Sequence, residues 1–453
     1  MERASLPRRL FWTAFTAWHS RHEHTLPFWP PERLRALQDR RARAIVRHAY
    51  RTVPFYRRTI DAMGLSLDDF RGADDLARLP LVTTDDYARE PDSFFSTAYR
   101  GRFTFEAFTS GTTGHARVIH FDAACLFRCV AARHRHRVVA TAFTGRAYGY
   151  SEVMAGSALT LARRLHEFQA ANSWFPRRAD YRRAWMLSFG NPAEKIAELN
   201  QIRPDVLRGY GSFIGLLYRW AYQHDLPIHR PKLVWHGGDT LAEADRVLIE
   251  EHYGIPALAG YQTTEALVIA HQCERREGFH IAPDHVVVRV LDGQGKPVVP
   301  GGSGEILVSN LINRATVLLN YRLGDIVTLG AGPCPCGRTT PTLARIEGRA
   351  DDYVVHPDGT LLHSMTAIGR IQLVPGVLQQ QLVQEELKRF VVRLVLRPGA
   401  DAAAVRLGIE AAMRETYGAD VATRIEILDL IPPEPSGKFK LVSSHCALPG
   451  TRA

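Results

Sequence analysis

The chain has 453 residues and a formal net charge of +10, with 45% hydrophobic and 23% charged residues. These values exclude a disordered or low-complexity protein, and the length predicts two or three folded units. The excess of positive charge would suit an anionic ligand, but an ordinary arginine-rich surface explains it equally. We therefore expect no nucleic-acid partner. No continuous apolar run predicts a membrane span or a signal peptide, so we expect a cytoplasmic protein without a membrane partner.

The first predicted element is an amphipathic helical stretch over residues 32–63, whose apolar side chains share one face and which is interrupted at Pro54. A second helix is predicted from Asp122 to about residue 140. Between residues 150 and 260, helical stretches alternate with short apolar runs. This alternation is typical of parallel strands joined by crossover helices.

The C-terminal third of the chain has a different character. Glycine-rich turns between alternating segments predict antiparallel hairpins in a β-rich unit over about residues 284–347. The remaining residues predict an α+β unit, with a helix over 402–417 that ends at Gly418. We therefore predict an α/β protein with a large N-terminal domain of mixed sheets, residues 1–350, and a small C-terminal domain, residues 351–453.

A loop rich in glycine and hydroxyl residues is the most specific local signal. It precedes a predicted strand and consists of Thr109, Ser110, Gly111, Thr112, Thr113 and Gly114. Glycines let the backbone approach a ligand, and successive amides with hydroxyls beside them bind anionic oxygens. Arg117 adds positive charge, so the loop predicts a polyphosphate site, although similar loops are often ordinary turns. Its spacing differs from the P-loop of NTPases.

Further polar motifs follow in order. Thr264 and Glu265 come after an apolar run, at the strand end where open α/β sheets bind ligands. A carboxylate there suits Mg²⁺, or alternatively the start of a helix. Asp325 follows a predicted glycine turn and is suited to accept ribose hydroxyls. Lys438 lies on a Gly/Pro-rich loop, where an ordinary exposed lysine is the alternative.

Together these motifs resemble the adenylate-forming superfamily of acyl-CoA synthetases, adenylation domains and luciferases. Residues 53–57, 207–210 and 334–338 make the phenylacetate–CoA ligases and their capsule-biosynthesis relatives the most similar branch. The resemblance covers nearly the whole chain and is weakest between residues 353 and 380. It implies an ATP-dependent, AMP-forming ligase. A carboxylate attacks the α-phosphate to give an acyl adenylate, and a thiol, expected to be that of CoA, then displaces AMP.

The resemblance also implies a role for each motif. The glycine-rich loop and Arg117 would hold the β- and γ-phosphates, Thr264 would contact the α-phosphate, and Glu265 would carry Mg²⁺. Lys438 would bridge the carboxylate and the α-phosphate, and Asp351 would be the hinge about which a mobile C-terminal domain rotates. The residues expected to border the adenine and ribose are Gly237, Gly238, Asp239, Tyr261, Asp325 and Arg349.

Three departures from the family pattern concern the two half-reactions. Arg117 replaces the usual lysine, and Asp239 replaces a glutamate, which is one methylene longer. Residues 353–359 lack the basic residues that normally help to form the thioester-forming face. An amine, a carrier-protein thiol, or an unusual acid such as nitrite therefore remains an alternative. A non-catalytic nucleotide-binding protein is a second alternative.

Four residues predict a structural zinc site. Cys334 and Cys336 form a C-x-C pair, and Cys273 and His280 lie seven residues apart upstream. Three thiolates and one imidazole make a tetrahedral set. Buried free cysteines with a surface histidine are the alternative.

Aromatic residues near the expected site predict the acid that is activated. Tyr148, Tyr150, Tyr210 and Trp235 would suit a flat aryl or arylacetic acid, unless they are ordinary core residues. The N-terminal aromatic residues Trp12, Phe15 and Trp18 fit either a homodimer face or the domain core.

Overall fold

A computed structural model describes residues 3–108, 117–156, 160–174, 182–188, 190–349, 353–358, 360–363, 367–432 and 440–446. Residues 109–114, Asp351 and Lys438 lie outside this part of the chain. The chain divides into two compact units. Unit 1 comprises residues 1–151, 158–182 and 258–346, and unit 2 comprises residues 152–157, 183–257 and 347–453.

The helices alternate with strands along the chain, which confirms the predicted α/β class. The helices are α1 (Leu6–Ser20), α2 (Pro31–Thr52), α3 (Pro54–Ala62), α4 (Thr84–Arg89), α5 (Ala123–Thr144), α6 (Leu161–Asn172), α7 (Pro192–Ile202), α8 (Gly211–Gln223), α9 (Glu243–Val247) and α10 (Ala402–Tyr417). The strands are β1 (Phe105–Phe108), β2 (Val118–Phe121), β3 (Ser151–Gly156), β4 (Arg182–Leu187), β5 (Val206–Gly209), β6 (Leu233–Gly237), β7 (Ala257–Thr263), β8 (Leu267–His271), β9 (Phe279–Ile281), β10 (Val286–Leu291), β11 (Ser303–Asn310), β12 (Tyr321–Leu329), β13 (Thr342–Arg349), β14 (Tyr353–Val355), β15 (Leu361–His363), β16 (Val377–Glu386), β17 (Arg389–Leu396), β18 (Ala422–Ile427) and β19 (Val442–Ser444).

Unit 1 contains an antiparallel sheet with the strand order β10-β11-β12-β13-β9-β8-β7. The pairs β10/β11 and β11/β12 are the hairpins predicted between residues 284 and 330. A separate antiparallel pair joins β1 and β2, with Phe108 opposite Val118. One hydrophobic core spans this sheet and helices α2, α3 and α5.

Helix α5 begins where Asp122 caps it, accepting a hydrogen bond from the Cys125 amide at 2.9 Å. It ends at Gly145, whose φ of 72° is the left-handed conformation that glycine adopts at little cost. The helix extends beyond the predicted end near residue 140, and in its last turns the Thr141 and Thr144 hydroxyls donate to the Arg137 and Ala140 carbonyls. Its cysteines, Cys125 and Cys129, are buried.

Among the described residues, unit 2 contains three sheets, one of which is the antiparallel β14/β15 pair. Strands β6-β5-β3-β4 are neighbours in that order, and the pairs β3/β5 and β5/β6 are parallel, which confirms the predicted crossover pattern. The second sheet has the order β18-β17-β16-β19, with α10 beside it. Leu378, Val395 and Ile431 pack into the same core as helices α7 and α8. The domain boundary at residue 350 stays a prediction.

Among the described residues, no helix combines the length and the apolar character needed to cross a bilayer.

Candidate active site and metal centre

Glu265 lies in a tight turn between the antiparallel strands β7 and β8. The turn is closed by the Ala266 amide, which donates to the Thr263 hydroxyl at 3.2 Å. The alternative interpretation of Glu265 as a helix-start carboxylate is therefore wrong. Thr264 lies in the same turn and is partly exposed, so its hydroxyl and the Glu265 carboxylate are presented together at the end of β7.

Arg117 lies beside Glu265, which joins two motifs that are far apart in sequence. The Arg117 Nη2 and Glu265 Oε1 atoms are 3.9 Å apart, and both side chains are mostly buried. Arg117 directly precedes β2, whose Val118 carbonyl accepts a hydrogen bond from the Tyr87 hydroxyl at 2.5 Å. Burial raises the pKa of Tyr87 to about 12, so it remains a neutral donor there. Arg117, which follows the predicted phosphate loop in sequence, thus lies beside the predicted Mg²⁺ carboxylate.

Tyr261 and Asp325 form the second contact of unit 1. The Tyr261 hydroxyl donates to Asp325 Oδ2 at 2.5 Å, and both residues are largely buried. Asp325 lies within β12 rather than after a turn, because Gly324, with φ of 76°, is accommodated inside the strand. This hydrogen bond from the tyrosine holds the buried Asp325 carboxylate in one orientation, in which it is a hydrogen-bond acceptor.

In unit 2, Asp239 links the end of β6 to the start of α8. Its carboxylate accepts from the Gly211 amide at 2.6 Å and also from the Ser212 hydroxyl. This is the bonding expected of an anion at a helix N-terminus, where free amides point outward. Gly238 has φ of 86°, and a Cβ there would lie 3.0 Å from the Tyr210 ring. Gly237 is the last residue of β6, and Arg349 closes β13.

The predicted acid-pocket residues differ in exposure. Tyr150 and Trp235 are buried, Tyr210 is partly buried, and Tyr148 is 51% exposed. The Arg208 guanidinium lies 4.2 Å from the centre of the Trp235 ring, a cation–π distance. Their role in binding an acid stays a prediction.

Sequence reasoning missed a buried ion cluster beside Trp235. Glu152 on β3 contacts Arg183 on β4 and Arg208 on β5, each at 2.7 Å. Burial disfavours the charged form of Glu152 and acts to raise its pKa. The positive charges of the two guanidinium groups outweigh burial and lower the pKa to about 2. The only sequence signal was the presence of charged residues in three otherwise largely apolar strands.

The four predicted metal ligands converge in unit 1. Their ligand atoms all lie within 4.8 Å of one another. Cys273 Sγ lies 3.8 Å from Cys334 Sγ, and Cys336 Sγ lies 3.3 Å from His280 Nε2. Tetrahedral zinc with Zn–S bonds of about 2.3 Å separates two sulfurs by about 3.8 Å, so the set fits that ion.

Surrounding residues orient these ligands. His280 Nδ1 is 3.0 Å from the Thr340 hydroxyl, which leaves Nε2 directed toward the sulfurs. The Arg338 amide donates to Cys336 Sγ at 3.4 Å, and the Arg338 guanidinium pairs with Glu274 at 2.8 Å. Burial raises the pKa of Cys273 to about 12 and lowers that of His280 to about 4.

Comparisons with known proteins agree with this geometry. Residues 354–445 match the CapK C-terminal domain family. The chain is 29% identical over 340 residues to a phenylacetate-coenzyme A ligase of Thermus thermophilus, covering 72% of each chain. It is 23% identical to the protein CapK of Staphylococcus aureus, covering 55% of each. The chain is similar to proteins of the adenylate-forming superfamily. These relatives support the branch of the phenylacetate–CoA ligases and CapK that the motifs indicated.

A solved structure of this superfamily has the same fold. The 2-hydroxyisobutyryl-CoA ligase in its postadenylation state, in complex with R3-HIB-AMP, superposes with a TM-score of 0.74 at 18% identity. The match covers 93% of this chain and 91% of that one. The curated relatives confirm the prediction of an ATP-dependent, AMP-forming acid–thiol ligase. The identity of the acid and of the acceptor belongs to the proposals below.

Proposed function

We propose that this adenylate-forming ligase activates an aryl or arylacetic acid with ATP and Mg²⁺, and transfers the acyl group to the thiol of CoA. The observation that carries the proposal is the approach of Arg117 to Glu265, 3.9 Å apart. It places a guanidinium beside a mostly buried carboxylate, as a triphosphate and its cation require. We expect the protein to act in the cytoplasm, where ATP and CoA are supplied.

In the first step, a carboxylate oxygen attacks the α-phosphorus and pyrophosphate leaves. The reaction brings two anions together, so oriented donors and positive charge must offset their repulsion. Residues 109–114 would bind the β- and γ-phosphates through their amides and hydroxyls, and Arg117 would neutralise part of their charge. Thr264 would donate to the α-phosphate. Bound at Glu265, Mg²⁺ would reduce the charge of the phosphates.

The remaining nucleotide contacts are assigned by the same reasoning. Asp325, held by Tyr261, would accept both ribose hydroxyls, and Arg349 would add a donor on the ribose. Residues 237–239 would border the adenine, where Asp239 stiffens the turn by capping α8. Lys438 would lie between the attacking carboxylate and the α-phosphate.

The aryl acid is proposed from the aromatic residues Tyr148, Tyr150, Tyr210 and Trp235. Rigid aromatic side chains favour a flat apolar ligand. The phenylacetate-coenzyme A ligases among the relatives support this substrate class.

A different acceptor is the second candidate, and residues 353–358 favour it. His356 pairs with Asp358 at 2.8 Å, and the Asp358 carboxylate also accepts from the Thr360 amide. The one basic group of this short segment is thus already paired with an acid. An amine or a carrier-protein thiol would need no basic surface of the kind that binds the CoA phosphates.

We also propose a structural zinc ion held by Cys273, His280, Cys334 and Cys336. The spacing of the ligand atoms and the hydrogen bond on His280 support it. The ion would fasten the loop after β8 to the loop before β13.

The deciding experiment is ATP–pyrophosphate exchange with the purified protein across aryl, arylacetic, amino and fatty acids, with nitrite included. Exchange with aryl acids, abolished in Lys438→Ala and Glu265→Gln but retained in the exposed control Glu251→Gln, would support the proposal. Product formation on adding CoA, an amine or a carrier protein then identifies the acceptor. ATP binding without exchange for any acid would favour the non-catalytic alternative.

A further inference from the structure

Helix α1 has apolar side chains on two faces, and only one of them is covered. On the inner face, Trp12 stacks on Phe127 of α5, with ring centres 4.7 Å apart. On the outer face, Leu6, Leu10, Phe11 and Trp18 are 49–62% exposed. At 100° per residue, the outer side chains fall within an arc of about 140°. Packing of the inner face against α5 holds α1 in place. The exposed apolar side chains of the outer face are not needed for that packing.

Two further aromatic residues extend this surface on either side of the helix. Trp174 is 50% exposed, and its amide donates to the Thr13 hydroxyl of α1 at 2.7 Å. Phe103 is 57% exposed and stacks on Phe168, with the Arg8 guanidinium 6.0 Å from its ring. We call this surface the α1 face; it consists of Leu6, Leu10, Phe11, Trp18, Phe103 and Trp174. Single exposed apolar residues are ordinary, but a contiguous set marks an interaction surface.

The charge around the α1 face is predominantly positive, and Glu106 on β1 is the exposed acidic residue that follows these segments. The exposed arginines in the segments that form it are Arg3, Arg8, Arg21, Arg100 and Arg102. Neither residues 3–22 nor residues 97–105 contain an acidic side chain. The Arg21 guanidinium lies 3.2 Å from the centre of the Trp18 ring. Glu167 of the adjoining helix α6 is paired with Arg163 at 3.3 Å.

We propose that the α1 face binds the surface of an anionic lipid bilayer. Tryptophan, phenylalanine and leucine side chains enter the boundary between headgroups and acyl chains, and arginines beside them contact lipid phosphates. A second copy of the chain fits less well. A two-fold contact would set the arginines of one copy against those of the other, with no carboxylate in these segments to pair with them.

This binding is independent of the proposed reaction. It differs from the expectation that no membrane takes part, which rested on the absence of a long apolar run. A peripheral helix needs no such run, because only one face enters the bilayer.

The test is flotation of the full-length protein with vesicles of phosphatidylcholine alone, and with vesicles that also hold about 30% phosphatidylglycerol. We expect flotation only with the anionic vesicles, weakened by salt. The double variant Phe11→Asp/Trp18→Asp should lower the bound fraction about tenfold or more, because it places charge in the inserted surface. Leu373 and Leu407 are 78% and 66% exposed elsewhere, so Leu373→Asp/Leu407→Asp is the matched control and should bind as the unaltered chain does.

Unchanged melting temperatures and unchanged ATP–pyrophosphate exchange in both double variants would show that folding is intact. Three results would overturn the proposal. They are no flotation with anionic vesicles, equal flotation with both kinds of vesicle, and equal loss in the two double variants. Sedimentation that finds a dimer dissociated by Phe11→Asp/Trp18→Asp, without vesicle binding, would assign the α1 face to a second copy instead.

Discussion

At the scale of single residues, the hydrogen bond between Tyr261 and Asp325 gives a direct test of the nucleotide site. Tyr261→Phe removes the donor and leaves the carboxylate buried with one partner fewer. A hydrogen bond to a charged group contributes about 1.5–3 kcal/mol, so we expect the KM for ATP to rise about tenfold or more. The KM for the acid should change little. Steady-state kinetics with each substrate varied in turn measures both.

The control for this prediction is a second tyrosine–aspartate pair. Tyr50 donates to Asp61 at 3.0 Å on the exposed surface, and Tyr50→Phe should leave the KM for ATP unchanged. An equal effect of the two substitutions, or a rise confined to the acid, would contradict the role proposed for Asp325.

The Glu152 cluster yields a prediction about stability. Glu152→Gln leaves Arg183 and Arg208 without their anion in a buried position. Breaking a buried ion pair typically costs about 3–5 kcal/mol of unfolding free energy. Glu415→Gln, in an exposed pair with Arg370, should cost less than about 1 kcal/mol. Denaturant unfolding at neutral pH compares the two variants.

The same cluster predicts a pH dependence with a definite sign. The pKa of Glu152 is lowered from 4.5 to about 2 in the folded chain. Its stabilisation is therefore complete above pH 4.5 and is lost as the pH falls toward 2. The difference in unfolding free energy between the unaltered chain and Glu152→Gln should shrink over that interval. A difference that stays constant with pH would show that the charge of Glu152 does not stabilise the fold.

At the scale of elements, the proposed zinc ion would link the loop after β8, which carries Cys273, to the loop before β13, which carries Cys334 and Cys336. Cys336→Ser should remove a metal ligand, lower the zinc content from about one ion per chain, and lower the melting temperature. Cys446→Ser, outside the cluster, should change neither. Metal analysis and thermal unfolding measure the two effects. An unaltered chain that is purified without zinc and whose melting temperature does not change on adding zinc would contradict the proposal.

Elements with local determinants were predictable from the sequence. Helix α10 has the predicted bounds, because an amphipathic run begins at the capping Asp401 and ends at Gly418. The metal ligands could be proposed because few residue types bind zinc. The Glu152 cluster could not be proposed, since it depends on which strands are neighbours in the sheet. Gly324 was predicted in a turn, but the pairing of β12 with its neighbours holds it within a strand. Such long-range pairing is invisible to local patterns.

At the scale of the whole molecule, the proposed rotation of the C-terminal domain would let that domain present a different face to the adenylate in each half-reaction. Asp351 is the proposed hinge, and rotation there would need free backbone torsion angles. Asp351→Pro fixes φ near −65° and should block the rotation. We expect ATP–pyrophosphate exchange to be retained within about threefold, and the overall rate of ligation to fall about a hundredfold or more.

Asp351→Ala removes the carboxylate but leaves the backbone free, so it should retain both activities. Equal losses in Asp351→Pro and Asp351→Ala would mean that the carboxylate itself matters. Loss of exchange in Asp351→Pro alone would mean that the first step also needs movement at this position.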